Sequence, residues 1–321
     1  MTPPAARLTQ PVDVGHDLSR PECVLCGRDG TVYVSDWRGG VTAIAADGLQ
    51  TTFTADDAPD LRPNGIAIDR DGSFLLADLG ERGGVWRLGR DGRLAPYCVA
   101  LDGQPLPPAN FVTCDRAGRV WITVSTRLVP RALGYRPTAA DGFIVVVTDR
   151  GARLAADGLG YTNELVVDPS GDWLYVNETF ARRLSRFRIG TSGDLGPRET
   201  VAVFGAGTFP DGLALDADGG IWVVSFVSNR VIRIDPAGRQ DTVIEDSDPD
   251  WLVEVETAFQ GSSMGRPHLD TVRSRRLQNV TSLAFGGPDL RTAYLGCLLG
   301  HNITAWQSTV AGVPLPHWEW T

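Results

Sequence analysis

Six copies of one strand–turn–strand pattern predict an all-β chain, folded over residues 1–321 as a single six-bladed β-propeller domain. Three observations carry that expectation. The copies start at Glu22, Asn64, Asn110, Asn163, Asp211 and Thr281, so successive starts are 42, 46, 53, 48 and 70 residues apart. A period in the forties with four strands per unit is that of a propeller blade. Apolar and polar residues alternate within each copy, as in Thr31-Val32-Tyr33-Val34-Ser35, the signature of a half-buried strand. Every copy opens on an oxygen-bearing side chain, and a radial repeat brings equivalent positions into one ring.

The first copy reads ECVLCGRDGTVYVSD from Glu22, turns at Arg28-Asp29-Gly30 and is followed by a third strand at Gly40–Ile44. The second, NGIAIDRDGSFLLAD from Asn64, turns at Arg70-Asp71-Gly72 and continues at Gly84–Leu88. The third, NFVTCDRAGRVWITV from Asn110, reaches its third strand (Phe143–Val147) only after a stretch from Arg127 to Ala140 too polar and too punctuated by Pro and Gly for a strand. The fourth, NELVVDPSGDWLYVN from Asn163, turns at Pro169-Ser170-Gly171 before Leu184–Ile189. The fifth, DGLALDADGGIWVVS from Asp211, turns at Ala217-Asp218-Gly219 before Arg230–Ile234. The sixth, TSLAFGGPDLRTAYLG from Thr281, is followed by Ile303–Gln307. The turn glycines supply the positive φ that tight hairpins need. Before the sixth copy lies the longest insertion, 245–280, where Pro249–Phe259 reads as one short amphipathic helix. The insertions at 127–142 and 245–280 are functional lids or surface decoration. The segment before Glu22 is expected to complete the last blade, because an open ring would leave an exposed strand edge.

Bulk composition narrows the partners. Hydrophobic content of 42% with 21% charged residues suits a globular chain with a sizeable core. A net charge of −9 argues against nucleic acid and anionic membrane, which both need a basic patch. A small-molecule substrate is the expected partner. No stretch approaches the roughly 18 apolar residues of a membrane-spanning helix. The N-terminal MTPPAARLTQPVDV lacks the apolar core of a secretory signal, so a cytoplasmic location is expected. Five scattered cysteines suit a reducing compartment. Cys23-x-x-Cys26 has no second pair at zinc spacing and reads as two buried thiols.

The first strand of each blade lines the channel of a propeller, and all six begin at one face. The second-to-third strand loops open on that face as well, bringing up Glu178 and His301 as candidate acids or substrate contacts. At the channel mouth Glu22 and Asp211 then meet the amides of Asn64, Asn110 and Asn163. Carboxylates crowded together lose their charge unless a cation intervenes, and no Lys or Arg opens a blade. One divalent metal ion held by oxygens resolves the conflict. Ca2+ fits best, with Mg2+, Mn2+ or Zn2+ as alternatives; the ring has no histidine, which makes zinc the least natural. Asn and Asp before Gly also favour turns, which accounts for Asn64-Gly65 and Asp211-Gly212 but not for six polar openings.

Three stretches carry a resemblance that covers essentially the whole chain: NELVVDPSGDWLYVNET from Asn163, FPDGLALDADGGIWV from Phe209, and VTSLAFGGPDL from Val280. They resemble the gluconolactonase/senescence marker protein (regucalcin-like) family, with the Pro-Asp-Gly blade opening and Phe-Gly-Gly-Pro-Asp-Leu as the more specific parts. The resemblance implies a six-bladed propeller with one divalent metal in the channel and, in many members, hydrolysis of sugar lactones. It implies Glu22, Asn163 and Asp211 as metal ligands and Asp211 as general base. It further implies Asn110 as the contact to substrate or metal-bound water, with Asn64 in the same shell. Cys23 and Glu164 stand where the family usually has glycine, and Pro108 where sugar lactonases often have arginine. Loss of that cation, with Trp37, Phe111, Tyr161, Phe180, Phe209 and Phe226 near the expected mouth, implies a substrate less polar than a sugar lactone.

The leading expectation is therefore a metal-dependent hydrolase that opens a lactone (cyclic ester) with an activated water. No Gly-x-Ser-x-Gly elbow supports a serine hydrolase. Two alternatives stay open: the same site serving phosphotriester hydrolysis or a lyase, cyclase or isomerase step, and a non-catalytic ligand-binding propeller.

Overall fold

A computed structural model of the chain describes residues 11–55, 58 and 60–320; the start of the N-terminal stretch read above lies outside the described residues. Six four-stranded antiparallel sheets form a six-bladed β-propeller. Blade 1 runs Val24–Cys26, Val32–Asp36, Gly40–Ile44, Gln50–Thr54, and blade 2 runs Pro63–Ile68, Phe74–Asp78, Val85–Leu88, Leu94–Cys98. Blade 3 takes Phe111–Cys114, Val120–Val124, Gly142–Thr148 and Gly151–Leu159; blade 4 takes Thr162–Val167, Trp173–Glu178, Arg183–Arg188 and Glu199–Val203. Blade 5 holds Phe209–Leu215, Ile221–Phe226, Arg230–Ile234 and Gln240–Glu245. Blade 6 combines Val280–Gly286, Thr292–Cys297 and Ile303–Gln307 with Val12–Val14, which pairs in the register Val12↔Ala305, Asp13↔Thr304, Val14↔Ile303. The ring is thus sealed by strands from both ends of the described chain. No helix among the described residues is long and apolar enough to cross a membrane.

Hairpin turns use glycine as the sequence implies: Gly30, Gly72, Gly171 and Gly219 sit at φ between +76° and +86°. The glycines after Asn64 and Asp211 have a different task. A Cβ on Gly65 would stand 2.5 Å from Phe111 Cα, and one on Gly212 would stand 2.5 Å from Ser282 Cα. These glycines let first strands of neighbouring blades touch, backbone to backbone. Hydrogen bonds then stitch the seam: Gly65 N–H and Asn64 Nδ2 donate to Asn110 O, Asn177 Nδ2 donates to Asp211 O, and Thr281 Oγ1 donates to Glu22 O. Blade openings are held in one ring by main-chain contacts.

Both insertions are ordered against the ring face. Residues 131–134 form a single 3-10 turn. In the second insertion α1 (Pro249–Gln260) starts on an Asp248 cap that accepts from Trp251 N–H, with proline in the first turn. It buries Trp251, Val255 and Phe259, which four-residue spacing places on one face. The short helix α2 (Arg266–Leu269) follows, and Asp246 accepts from the N–H groups of Arg276 and Leu277, tying the two ends of the insertion together.

Candidate functional site

Glu22, Asn110, Asn163 and Asp211 line one small cavity of about 40 Å³ at the channel mouth. Glu22 and Asn110 stand just before the first strands of their blades, Asn163 and Asp211 lie within the first three residues of theirs, and all are buried, with 4–7% of their surface exposed. Burial pushes the Asp211 carboxyl well above the usual carboxylate range, with Glu22 and Glu164 pushing the same way. Arg20 and a hydrogen bond from Asn163 act against this. Arg20 Nε donates to Glu22 Oε2 at 2.8 Å, and its guanidinium lies 4.1 Å from the Trp37 ring centroid. Asn163 Nδ2 donates to Thr179 Oγ1 at 3.1 Å.

The donor set suits a hard cation. Among the described residues no three His, Cys, Asp or Glu side chains cluster to hold a metal, so the site rests on two carboxylates plus amide oxygens. Asn110 Oδ1 is buried without a hydrogen-bond partner among the described residues. An orphaned oxygen beside two carboxyl groups, one of them driven toward protonation, is an arrangement that a divalent ion would relieve.

The other sequence candidates are placed elsewhere. Asn64 is buried beside the cavity, donates to Asn110 O and leaves its own Oδ1 unpartnered, but it does not line the cavity. Glu178 is fully buried and accepts from Gly160 N–H, Ser185 Oγ and both Nε and Nη2 of Arg183. It ends its second strand as Asp36 and Asp78 end theirs, and Asp78 likewise accepts from nearby backbone N–H groups. The repeat uses that position to fasten loops. His301 is exposed, with Nδ1 3.1 Å from Leu18 O, and it fastens the segment before blade 1. Of the six aromatics named from sequence, Tyr161, Phe180 and Phe226 line the cavity; Trp37, Phe111 and Phe209 do not.

Four features lie outside the site expected from the sequence. Arg20 lies two residues before the first blade opening, and its positive φ of 51° turns it toward Glu22. Glu164 is buried behind Asp211, accepts from Leu213 N–H, and is pushed well above the carboxylate range by burial and by Glu22. Arg131, Tyr135, Arg266 and Leu269 reach the cavity from the two insertions. A larger cavity of about 380 Å³ lies at the opposite end of the channel, lined by first-strand ends and the C-terminal stretch Val313–Trp318. Of its two carboxylates, Asp115 is committed to Arg119 and to the Trp121 indole, and Asp168 accepts from Ser170 Oγ and from the N–H groups of Asp172 and Trp173. The chemistry therefore gathers in the smaller cavity.

The SMP-30/Gluconolactonase/LRE-like region matches residues 20–248. A 6-deoxy-6-sulfogluconolactonase of Pseudomonas putida is 28% identical over 235 residues, 72% of this chain and 67% of the relative. A gluconolactonase structure from Xanthomonas campestris superposes with a TM-score of 0.68 at 20% identity, covering 94% of this chain and 91% of that one. The structure of a calcium-binding protein, regucalcin, from Agrobacterium tumefaciens superposes with a TM-score of 0.67 at 18% identity, covering 94% of both chains. At these identities the structural likeness speaks for the fold alone.

Proposed function

The chain belongs to the SMP-30/Gluconolactonase/LRE-like family, and we propose that it is a metal-dependent lactonase acting on a lactone less polar than a sugar lactone. Lactone hydrolysis in general is supported by the family and by the sulfogluconolactonase relative. One observation carries the finer reading. Two carboxyl groups from blades separated only by blade 6, Glu22 and Asp211, share a buried cavity with Asn110 Oδ1, an amide oxygen unpartnered among the described residues.

Glu22, Asn163 and Asp211 would hold the divalent cation, for which calcium is the best fit to oxygen donors. When bound, such an ion supplies Lewis-acid polarisation of the ester carbonyl. Arg20 fixes the orientation of the Glu22 carboxylate through its hydrogen bond. Asp211 accepts a proton from water as the water oxygen bonds to the carbonyl carbon. The ring C–O bond then breaks, and the departing oxygen takes that proton from Asp211, giving a hydroxy acid. Asn110 positions the carbonyl or the water through its unpartnered amide oxygen and its remaining donors. Leu79, Phe180, Phe226 and Leu298 keep the cavity wall apolar, which favours a substrate with an apolar body and excludes bulk water.

Metal analysis of the purified protein, paired with turnover of lactones and phosphotriesters before and after chelation, tests this reading. Lactone turnover lost on chelation and restored by a divalent ion supports it. Full lactone turnover after verified removal of metal overturns it, and turnover of phosphotriesters alone replaces it.

A further inference from the structure

We propose that Arg131 recognises an acidic substituent on the substrate, so that the preferred lactone carries a carboxylate or another anionic group besides its ring ester. The inference rests on the lactonase reading and corrects its substrate: with an acidic substituent the molecule is charged, so its body alone, not the whole lactone, is less polar than a sugar lactone.

Three guanidinium groups line the cavity that holds Glu22 and Asp211: Arg20, Arg131 and Arg266. Two are neutralised within the protein. Arg20 pairs with Glu22 at 2.8 Å, and Arg266 pairs with Asp270 at 2.7 Å. Arg131 forms no ion pair among the described residues. Its Nη2 donates to Ser125 Oγ at 3.1 Å, and its guanidinium lies 5.7 Å from the Tyr161 ring centroid. All these partners are uncharged.

A guanidinium kept partly out of water with only neutral partners is electrostatically unsatisfied, and a ligand anion is the group that satisfies it. The backbone holds Arg131 in place for that role. It starts the 3-10 turn 131–134, and a Cβ on Gly134 would stand 3.1 Å from the Tyr161 ring, so glycine lets the turn sit flush against it. Tyr161 is wedged in turn between Tyr135 and Phe180, with centroids 5.5 and 4.8 Å away. The charge is therefore carried on a rigid aromatic stack. Arg131 and Leu79 also line an adjoining, mostly apolar cavity of about 270 Å³. Glu81 lines that cavity too, is exposed, and makes no ion pair with Arg131. Arg131 thus stands between the room for the ring ester and the room for the rest of the molecule. An Arg fork at such a junction binds a planar anion through two parallel hydrogen bonds.

The test compares one lactone bearing a carboxylate with its primary-amide counterpart, using the calcium-loaded full chain. The expected KM is roughly 10- to 100-fold lower for the acid, the worth of one charge-assisted hydrogen-bond pair. Arg131→Gln is expected to remove most of that ratio by raising KM for the acid, with kcat changed less than about threefold because the charge lies away from the ester. Arg131→Lys is expected to restore part of the ratio. Thermal melts of both variants check that they fold. Calorimetric titration with the ring-opened hydroxy dicarboxylate and its monoamide reads the same preference without turnover. If neither lactone is hydrolysed, the lactonase reading falls while the titration still decides the role of Arg131. Equal binding of acid and amide by the wild type, or a preference that survives Arg131→Gln, overturns the proposal.

Discussion

Asp211 carries two of the proposed duties, ligand and base, and Glu22 carries one. Their removal should therefore differ in kind. Asp211→Asn is expected to lower kcat by about 100- to 10,000-fold, the usual worth of a positioned base, together with a loss of bound metal. Glu22→Gln is expected to lower metal content and to leave Arg20 without its carboxylate partner. Metal analysis beside steady-state kinetics checks both. At the other end of the channel, His317 Nε2–H donates to Cys26 O, and burial pushes its imidazole down from 6.5 to about 4. Between those values the unfolded chain binds a proton that the folded chain refuses. Stability should therefore be undiminished by this group above about 6.5 and fall as pH drops toward 4, by on the order of 3 kcal/mol. His317→Gln should flatten that part of a melting-temperature profile. Residue identity at the blade openings was legible because the repeat aligned Glu22, Asn110, Asn163 and Asp211. Arg20 and Arg131 were not legible, because neither occupies a repeated position; only their backbone turns bring them to the cavity.

At the scale of elements, the two insertions differ from the blades in how they are held. α1 docks through Phe259, whose ring centroid lies 5.2 Å from that of Phe209, and through Glu256, which pairs with Arg182 and accepts from Gly207 N–H. Burial pushes the Glu256 carboxyl up, but Arg182, Gln260 and Gly207 outweigh it and hold it at about 2. That contribution is present above the ordinary value of 4.5 and is lost as pH falls from there toward 2. Phe259→Ala is expected to weaken docking by about 3–5 kcal/mol, since a large buried ring is removed. Limited proteolysis within 245–280 should then accelerate while the propeller melts close to its usual temperature. The helix was legible in the sequence from the Pro249 start and its four-residue apolar spacing. The partners it would meet were not, because Phe209 and Arg182 lie in other blades. The blade seam makes the opposite case: Gly212 looked like a turn residue, yet the close approach of Ser282 is what requires it. Gly212→Ala is expected to destabilise the protein by about 1–3 kcal/mol through backbone displacement at the blade 5–blade 6 seam, read by denaturant unfolding.

For the whole molecule, a radial fold turns repetition into a site. Six openings with similar chemistry meet at one face because first strands touch through Gly65 and Gly212 and are bonded across blades. Blade count and strand positions were readable from the period of the sequence, and the third strands fall within two residues of where turn chemistry put them. The strands expected to be half-buried, such as Val32–Asp36 and Ile221–Phe226, are instead buried on both faces because neighbouring blades cover them. What periodicity leaves unsaid is which polar residues of the ring face inward to a common space and which serve loops, as Glu178 and His301 do. The most direct measurement is anomalous scattering from crystals grown with Mn2+, a stand-in for calcium at oxygen donors. A single strong peak within coordination distance of the Glu22 and Asp211 carboxylates and of Asn163 is the expected result. A peak elsewhere, or none despite saturating metal, would contradict the account.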